Sequence, residues 1–316
     1  MTITPENHSA PLVAVVGATG KQGGSVIQAL AASHKSYRVR GFTRDATKSA
    51  AQELRKLGVE VVQVAFVVDN QAQVDEAFSG ADFAFLVTDF WEHLSLAREV
   101  AEGKLMIDAA KAARVSGIIW SGLPSFTKLS TGKYTNVYHF DGKALVTEYG
   151  RQSGIPFVDV QAGFYGTNFL ASPHAPVKRA SEYVLALPMK ASTVVPFLDV
   201  DRDYGLFVRY VLELETFPDG AEFVAYSEKL TMQELVDRWA HATSKDIRYV
   251  QLSMEEFKQR FEDANLPPHI LLDMVEALSG WDEFGWSTTD IPPDLAGCLT
   301  SWDAFVKSTD WSQILG

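Results

Sequence analysis

The sequence predicts an α/β protein in which a doubly wound parallel sheet is followed by a smaller, mostly helical C-terminal domain. Two observations predict the sheet: short apolar runs alternate with amphipathic stretches in the first half, and the first run ends in a glycine-rich turn. A third observation separates the C-terminal part, because this alternation stops after about residue 165. We expect one domain of residues 1–165, to which a segment near 192–215 returns, and a second domain of residues 166–316.

The apolar runs predict six strands, and the stretches between them predict helices. The strands are 12–16, 37–42, 59–66, 82–87, 117–120 and 156–161. The helices are 21–33, 46–57, 71–79, 94–114 and 139–153. Runs that are apolar on both faces are typical of a parallel sheet that helices cover on both sides. Right-handed crossovers then wind these helices around the sheet.

The C-terminal part carries its own structural signals. Thr231 and Glu234 have the spacing of a capping box, which predicts that a helix starts there. The stretch 192–200 is predicted as a strand broken by Pro196, because proline lacks the amide proton that a central strand needs.

Tryptophan is concentrated in the same part of the chain. Five of the seven tryptophans lie beyond residue 230, namely Trp239, Trp281, Trp286, Trp302 and Trp311. The simpler explanation is that they pack a small helical domain. The alternative is that Trp281, Phe284 or Trp286 lines an apolar substrate pocket at the cleft between the domains.

Composition excludes several classes of protein. The net charge of −12 argues against direct nucleic-acid binding, and the single cysteine, Cys298, allows no intrachain disulfide. The polar N-terminus has no Lys or Arg before the first apolar run, so it is not a signal peptide, and no run is long enough to span a membrane. We expect a cytoplasmic protein, or a nuclear one if it is a regulator, with no metal site.

The stretch "GATGKQGG" follows the first predicted strand and opens the first predicted helix. Gly17 allows the tight turn, Gly20 lets the backbone approach a pyrophosphate, and Gly23 permits close packing of helix on sheet. The helix N-terminus then offers free N–H groups to phosphates. In this strand–turn–helix context, the glycine pattern predicts a dinucleotide site rather than a purely structural turn.

The end of the second strand indicates which dinucleotide is bound. An NAD site usually has an acidic residue there, on the ribose 2′-OH. Here Thr43 and Arg44 occupy the place, Lys48 lies one turn on, and Asp45 follows at the start of the next helix. Two cations suit a 2′-phosphate, which favours NADP(H); the alternative is that they are solvated surface charges.

Several stretches together resemble the NmrA-like family of atypical short-chain dehydrogenase/reductases. They are "VVGATGKQGGSV", "GFTRDATK", "LVTDFWE", "WSGL", "HFDGKALVTEYGRQSGIPF" and "GFYGTNF", in the family's order and spacing. A weaker likeness continues through "SEKLTMQEL" (227–235). The resemblance implies a Rossmann domain, a smaller C-terminal domain and an NADP(H) site.

The resemblance also implies a set of cofactor-binding residues. The pyrophosphate would be wrapped by Gly17, Ala18, Thr19, Gly20, Lys21 and Gln22, and the 2′-phosphate held by Arg44 and Lys48. The ribose would be bordered by Thr88, Asp89 and Phe90, the nicotinamide ribose bound by Lys143, and the nicotinamide faced by Phe164 and Tyr165. One departure stands out: where the family usually has Gly-Asp after the third strand, this chain has Val64 and Ala65, and the nearest acid is Asp69. Adenine contacts therefore differ, or the apolar run packs on the adenine face.

The stretch "YHFDGK" (138–143) departs from the catalytic helix of typical short-chain reductases, which carry Tyr-x-x-x-Lys. Residues four apart share a helix face, and the Tyr passes a proton to the carbonyl as hydride arrives. Here His139 precedes Lys143 by four, and Tyr138 lies about 140° around the helix from Lys143. We therefore take Lys143, His139 and Tyr165 as candidate catalytic residues, with His139 as a structural residue as the alternative. Ser121 in "WSGL" is a candidate for polarising a substrate.

Three functions remain open. We favour an NADPH-dependent reductase that acts on a bulky, apolar small molecule in the interdomain cleft, as in a fungal-type secondary-metabolite pathway. The diverged adenine side and the aromatic-rich C-terminal half support this choice, and an iminium or enone would need little general-acid help. The second function is an NADP(H)-sensing regulator with a protein partner and no turnover. The third is an NADP(H)-assisted cyclase, as the resemblance suggests.

Overall fold

The computed structural model of the chain describes residues 3–171, 174–262 and 267–316. Its strands are β1 (Leu12–Val15), β2 (Arg38–Thr43), β3 (Glu60–Gln63), β4 (Phe83–Leu86), β5 (Gly117–Trp120), β6 (Phe157–Ala162), β7 (Phe164–Tyr165), β8 (Val177–Arg179), β9 (Glu182–Leu187), β10 (Val194–Leu198), β11 (Glu222–Ala225), β12 (Glu228–Thr231) and β13 (Ile247–Gln251). Its α-helices are α1 (Lys21–Ala31), α2 (Ser49–Lys56), α3 (Gln71–Ala77), α4 (Phe90–His93), α5 (Leu96–Ala112), α6 (Phe126–Leu129), α7 (Tyr138–Arg151), α8 (Tyr204–Glu213), α9 (Met232–Thr243), α10 (Met254–Glu262), α11 (Pro268–Phe284), α12 (Trp302–Ser308) and α13 (Ser312–Leu315). Short 3-10 helices cover Val68–Asn70, Gly166–Leu170 and Pro293–Leu295.

The predicted doubly wound sheet is confirmed. Seven parallel strands lie in the order β11-β6-β5-β4-β1-β2-β3. β1 sits between β2 and β4, with Val13 paired to Val39 on one side and to Phe83 on the other. The chain therefore runs outward in both directions from the β1–β4 pair. In sheets of this kind, ligands bind in the crevice at the carboxyl ends of the strands where the order reverses.

The predicted helix 94–114 begins two residues later than expected and follows a separate turn of helix. α4 ends at His93 and is followed by Leu94, whose φ of 56° is left-handed, and α5 begins at Leu96. Ser95 caps α5, with its side chain accepting a hydrogen bond from Arg98 N at 3.4 Å. Serine at this position favours a fresh helix start, because its oxygen satisfies an amide that has no partner within the helix.

The chain forms two compact units, which are interleaved along the sequence. The first unit comprises residues 1–125, 139–162 and 200–225, and the second comprises residues 126–138, 163–199 and 226–316. The first unit contains the seven-stranded sheet. The division into domains at residue 165 stays a prediction. Within the part of the chain that the structure describes, no helix combines the length and apolar character needed to cross a membrane.

Two glycines let helices α5 and α7 lie close together in the first unit. A Cβ added at Gly103 would stand 2.5 Å from Val146 Cγ2, and one added at Gly142 would stand 2.9 Å from Glu99 Cγ. Neither distance is compatible with a real side chain. Small residues at both positions therefore bring Glu99, on α5, within reach of α7.

The second unit contains two small sheets besides its helices. One has the order β12-β10-β7 and the other β13-β9-β8. The expectation that Pro196 breaks the strand 192–200 is wrong, since β10 runs through it and pairs Pro196 with Lys229. Pairing of β10 with the short β7 involves Phe197 and Leu198. These two residues follow Pro196, so on the side of β10 that faces β7 Pro196 lies at an edge of the sheet, where a missing N–H is tolerated.

The aromatic residues of the second unit mostly pack its interior. The ring of Trp239 contacts the rings of Trp302 and Trp311, with centroids 5.9 Å and 4.4 Å away. The indole of Trp302 donates a hydrogen bond to Leu235 O at 2.9 Å. The capping box of Thr231 begins α9 as predicted. For these three tryptophans, packing is the explanation that the structure supports.

Candidate functional site

The glycine turn after β1 has the geometry of a close-approach loop. Gly17 has a φ of +66°, and a Cβ at Gly23 would stand 2.2 Å from Gly17 O. Gly20 N donates to Gly17 O at 2.8 Å, and α1 begins at the next residue. Any larger residue at Gly23 would push the helix away from the turn. The turn thus forms a cradle of backbone amides at a helix N-terminus, which suits a pyrophosphate.

Neighbouring elements hold the rest of this loop in place. Ala18 N donates to Phe42 O of β2 at 3.0 Å, and the hydroxyls of Thr19 and Thr43 lie 3.3 Å apart. Both contacts tie the loop after β1 to the end of β2. The loop is therefore fixed by its surroundings before any ligand binds, which lowers the entropy cost of binding.

Lys21 and Gln22, at the start of α1, also have partners in the first unit. Lys21 Nζ lies 3.5 Å from Asp201 Oδ2, and both side chains are about half exposed. Ser121 Oγ donates a hydrogen bond to Gln22 Oε1 at 2.9 Å. The structure therefore brings Ser121 to the glycine turn as a partner of Gln22.

Arg44, predicted to hold a 2′-phosphate, forms an ion pair with Glu92 of α4. The Arg44 side chain is 62% exposed and that of Glu92 50%. Lys48 is exposed at the N-cap of α2. Asp45, which follows Arg44, accepts hydrogen bonds from Thr47, and these hold the pKa of its carboxyl below its ordinary value.

Of the two residues that replace the family's Gly-Asp, Val64 belongs to the core and Ala65 is partly exposed. Val64 is buried, and its N–H donates to Thr43 O at 3.0 Å. Ala65 O accepts from Asn70 Nδ2 at 2.8 Å, and the ring of Phe66 lies 5.2 Å from that of Phe42. Asp69 lies in the 3-10 helix that follows.

Lys143 lies in a dense buried cluster. Its ammonium is 2.9 Å from Glu99 Oε1, 2.9 Å from Thr88 Oγ1 and 3.0 Å from Thr88 O. Thr88 Oγ1 in turn donates to Glu99 Oε1 at 2.6 Å. Lys143 Nζ also stands 5.4 Å from the ring centre of Trp120. An ammonium has three protons, and all three have acceptors here.

Thr88, the first residue of the predicted ribose border, is therefore hydrogen-bonded to Lys143 of α7. Thr88 is buried, Asp89 is exposed at the N-cap of α4, and Phe90 is buried. Of the three, Thr88 contacts Lys143 directly. The structure thus brings together Lys143 and the start of the turn that follows β4, at the crevice where the strand order reverses.

His139 packs among aromatic rings. Its ring centre lies 5.1 Å from that of Trp91 and 6.1 Å from that of Phe90. Trp91 is one of the exposed large apolar residues, at 49%. Tyr138 belongs to the second unit, where its hydroxyl donates to Asn136 Oδ1 at 2.7 Å.

A buried aspartate supports the turn after β5. Asp159 is 1% exposed and accepts hydrogen bonds from Gly122 N at 3.0 Å, Gln161 Nε2 at 3.1 Å and Thr147 Oγ1 at 3.2 Å. Burial raises the pKa of its carboxyl to about 7, although these hydrogen bonds from side chains oppose the shift. Asp159 lies beneath the turn that contains Ser121 and keeps that turn in place.

Phe164 and Tyr165 form β7 in the second unit. The ring of Phe164 is buried, and its centre lies 6.2 Å from that of Trp281 in an edge-to-face contact. Tyr165 is half-buried. The space between Phe164 and Trp281 is therefore occupied by the two rings themselves.

A pocket of about 450 Å³ lies beside Trp281 and Trp286 in the second unit. The two indoles are stacked, with centres 4.3 Å apart. The rest of the lining is more polar than the sequence led us to expect, and includes Lys190, Ser192, Thr193, Lys229, Asp282 and Thr288. Phe284 packs instead on Phe126, with ring centres 5.6 Å apart.

Sequence reasoning missed Glu99, Glu92 and Asp159. Glu99 and Glu102 lie on the buried face of α5, at spacings of three and four residues from the small and apolar residues of that face. This spacing is the sequence signal that could have revealed Glu99. Asp159 is a charged residue in the middle of a strand that is otherwise apolar, a comparable signal. No local pattern singles out Glu92, because its partner Arg44 is distant in sequence.

Comparison with known proteins agrees with this architecture. A model of the NmrA-like family matches residues 9–298. The NmrA-like family domain-containing oxidoreductase cpsB of Aspergillus campestris is 32% identical over 267 residues, which cover 79% of this chain and 78% of that protein.

Two solved structures share the fold. The crystal structure of NmrA, a negative transcriptional regulator, in complex with NADP is 22% identical, covers 95% of both chains and has a TM-score of 0.77. That of the Citrobacter sp. triphenylmethane reductase complexed with NADP(H) is 21% identical, covers 93% of this chain and 98% of its own, and has a TM-score of 0.74. Because the family model matches nearly the whole chain, this protein belongs to the NmrA-like family.

Proposed function

We propose that this protein is an NADP(H)-dependent oxidoreductase that reduces a bulky, largely apolar small molecule. The observation that carries the proposal is the glycine cradle after β1, with Arg44 at the end of the neighbouring strand and Lys143 fixed beside the turn after β4. An Arg guanidinium at this position is suited to a 2′-phosphate. The curated relative cpsB is named as an oxidoreductase, which supports the same choice.

The residues present fit a nicotinamide dinucleotide. The turn at Gly17–Gln22 would hold the pyrophosphate, Arg44 and Lys48 the 2′-phosphate, and Thr88–Phe90 with Lys143 the ribose. A reduced nicotinamide supplies a hydride when it is bound. We place Phe164 and Tyr165 of the second unit beside the nicotinamide, with the Tyr165 hydroxyl as a proton donor.

Lys143 does not supply the proton in this proposal. All three of its ammonium protons are donated within the protein, to Glu99 and to two oxygens of Thr88. The His139 ring packs on the rings of Phe90, Trp91 and Phe140. A substrate that is already electrophilic, such as an iminium ion or a conjugated enone, needs the least help from a proton donor, so we propose this class. The triphenylmethane reductase, which shares the fold, is consistent with such an acceptor.

An NADP(H)-sensing regulator without turnover is the second candidate. The contact between Phe164 and Trp281 favours it, because rings occupy the space where we expected an apolar substrate pocket. NmrA, which shares the fold, is a negative transcriptional regulator crystallised with NADP. In this case the second unit would bind a protein partner.

Binding and turnover measurements separate these candidates. We expect the wild type to bind NADPH more tightly than NADH, and Arg44→Ala to lose most of this preference while Lys56→Ala, at the exposed end of α2, keeps it. Unchanged selectivity in Arg44→Ala would contradict the NADP(H) assignment. Oxidation of bound NADPH by members of a panel of iminium ions and enones, followed by the loss of NADPH absorbance, supports the enzyme. Tight binding without oxidation by any member of the panel supports the regulator.

A further inference from the structure

The carboxylate of Glu99 is unusual because it is fully buried and yet charged. It is 0% exposed, on the inward face of α5. Moving a carboxylate out of water costs several kcal/mol unless partners replace the lost hydration. The partners are Lys143 and Thr88, both on Glu99 Oε1. Glu99 itself was not among the residues that the family resemblance implicated.

The second oxygen of Glu99 faces His93, the last residue of α4. His93 Nε2 lies 3.7 Å from Glu99 Oε2 and 3.6 Å from Glu102 Oε2. His93 Nδ1 accepts a hydrogen bond from Ser95 N at 3.1 Å, so it carries no proton. The tautomer assigned from this bond has its proton on Nε2, which is beyond hydrogen-bond distance of both carboxylates.

Glu99 accepts hydrogen bonds on Oε1, from Lys143 and Thr88, whereas Oε2 lies 3.7 Å from His93 Nε2, beyond hydrogen-bond distance. A carboxylate is acceptor-only on both oxygens, whereas an amide is an acceptor on one side and a donor on the other. Glutamine at this position would remove the negative charge that pairs with the Lys143 ammonium.

These contacts hold both ends of one short segment. Thr88 is its first residue, His93 is its last, and each meets Glu99 through a different oxygen. Asp89 and Phe90, predicted to border the ribose, lie between them. Gly142, which precedes Lys143, makes room for the Glu99 side chain.

We propose that Glu99 is a positioning residue for the dinucleotide site, which holds Lys143 and the segment 88–93 in the arrangement that binds the nicotinamide ribose. This inference rests on the proposed function. Within the part of the chain that the structure describes, the contacts of Glu99 include neither Arg44 nor the glycine turn, so its effect is confined to the nicotinamide half of the cofactor. The adenosine half is held by residues that do not depend on it.

The test compares a whole cofactor with its adenosine half. Isothermal titration calorimetry measures binding of NADP+ and of 2′,5′-ADP to the wild type, to Glu99→Gln and to Glu102→Gln. Glu102 is the matched control, because it is buried on the same helix face and near His93 but contacts neither Lys143 nor Thr88. Circular dichroism checks that each variant is folded.

We expect Glu99→Gln to weaken NADP+ by about tenfold or more, as loss of a charged hydrogen-bonding group predicts, and to change 2′,5′-ADP by less than about threefold. Glu102→Gln should leave both within about threefold. Glu99→Asp keeps the charge but is one methylene shorter, so its NADP+ affinity should fall between the wild type and Glu99→Gln. This variant also serves if Glu99→Gln does not fold.

The outcomes separate this inference from the proposed function. Equal weakening of both ligands in Glu99→Gln would show a general structural defect and overturn the positioning role. Unchanged NADP+ affinity in a folded Glu99→Gln would overturn it too, while leaving the proposed function intact. A wild type that binds neither ligand would overturn the proposed function, and the inference with it.

Discussion

Two ion pairs meet the segment that follows β4, and they are held in very different ways. Lys143 and Glu99 form a buried pair with exposed fractions of 12% and 0%, and Thr88 bonds to both partners. Arg44 and Glu92 form an exposed pair, with no further partner described for the guanidinium. A buried, multiply bonded pair fixes geometry, whereas an exposed pair exchanges its partner at little cost. In our proposal the buried pair fixes the geometry of the site, whereas the exposed pair can separate so that Arg44 binds a phosphate.

The largest expected effect would come from breaking the buried pair. Lys143→Met leaves Glu99 charged and buried without its cation, so we expect it to lower the free energy of unfolding by about 3–5 kcal/mol. The equivalent change in the exposed pair, Arg44→Met, should cost about 0–1 kcal/mol. Urea unfolding followed by circular dichroism measures both.

A double variant provides the control for this prediction. Lys143→Met combined with Glu99→Met replaces the pair by apolar side chains of similar volume, and should lose less stability than Lys143→Met alone. Equal losses for Lys143→Met and Arg44→Met would mean that burial does not distinguish the two pairs.

The next effect concerns pH and a second buried carboxylate, that of Asp159. Its pKa is raised to about 7, so the folded protein binds a proton at this site that the unfolded chain releases above its ordinary pKa of 3.8. The stabilising contribution of this proton is complete below about pH 4 and is lost as pH rises through about 7, at most about 1.4 kcal/mol per pH unit.

Asp159→Asn removes this titration while keeping the shape of the side chain. The difference in unfolding free energy between the wild type and Asp159→Asn should therefore shift in favour of the variant between pH 4 and 7, the window set by the two pKa values. Urea unfolding at a series of pH values measures it. Asp219→Asn, on the surface of the same unit, is the control, and a difference that does not vary with pH would contradict the prediction.

The smallest effect should come from the partner of Arg44. Glu92→Gln removes the carboxylate that competes with a 2′-phosphate, and an exposed pair contributes up to about 1 kcal/mol, so NADP+ affinity should rise by about two- to fivefold. NAD+ affinity should not change. The gain should shrink at high salt, which screens exposed charges. A loss of NADP+ affinity would instead place Glu92 among the groups that support the site.

The sequence predicted the parts of this protein that depend on local pattern. The apolar runs predicted the strands of the sheet, and the glycine pattern predicted the turn at Gly17. Both patterns depend on residues that are close together in the sequence. The Glu99–Lys143 pair joins helices far apart in the chain, and depends on missing side chains at Gly103 and Gly142. The interleaving of the two units and the short strand pairing around Pro196 are likewise set by tertiary contacts that no local pattern encodes.

Gly142 makes two positions of the chain depend on each other. Because Gly142 has no side chain, the side chain of Glu99 can lie against it. A Cβ at position 142 would stand 2.9 Å from Glu99 Cγ. A methyl group at position 142 can be accommodated only if residue 99 is shortened, and a shorter residue 99 no longer reaches Lys143. Anyone redesigning this helix pair must therefore treat residues 99, 142 and 143 as a single choice rather than as three independent ones.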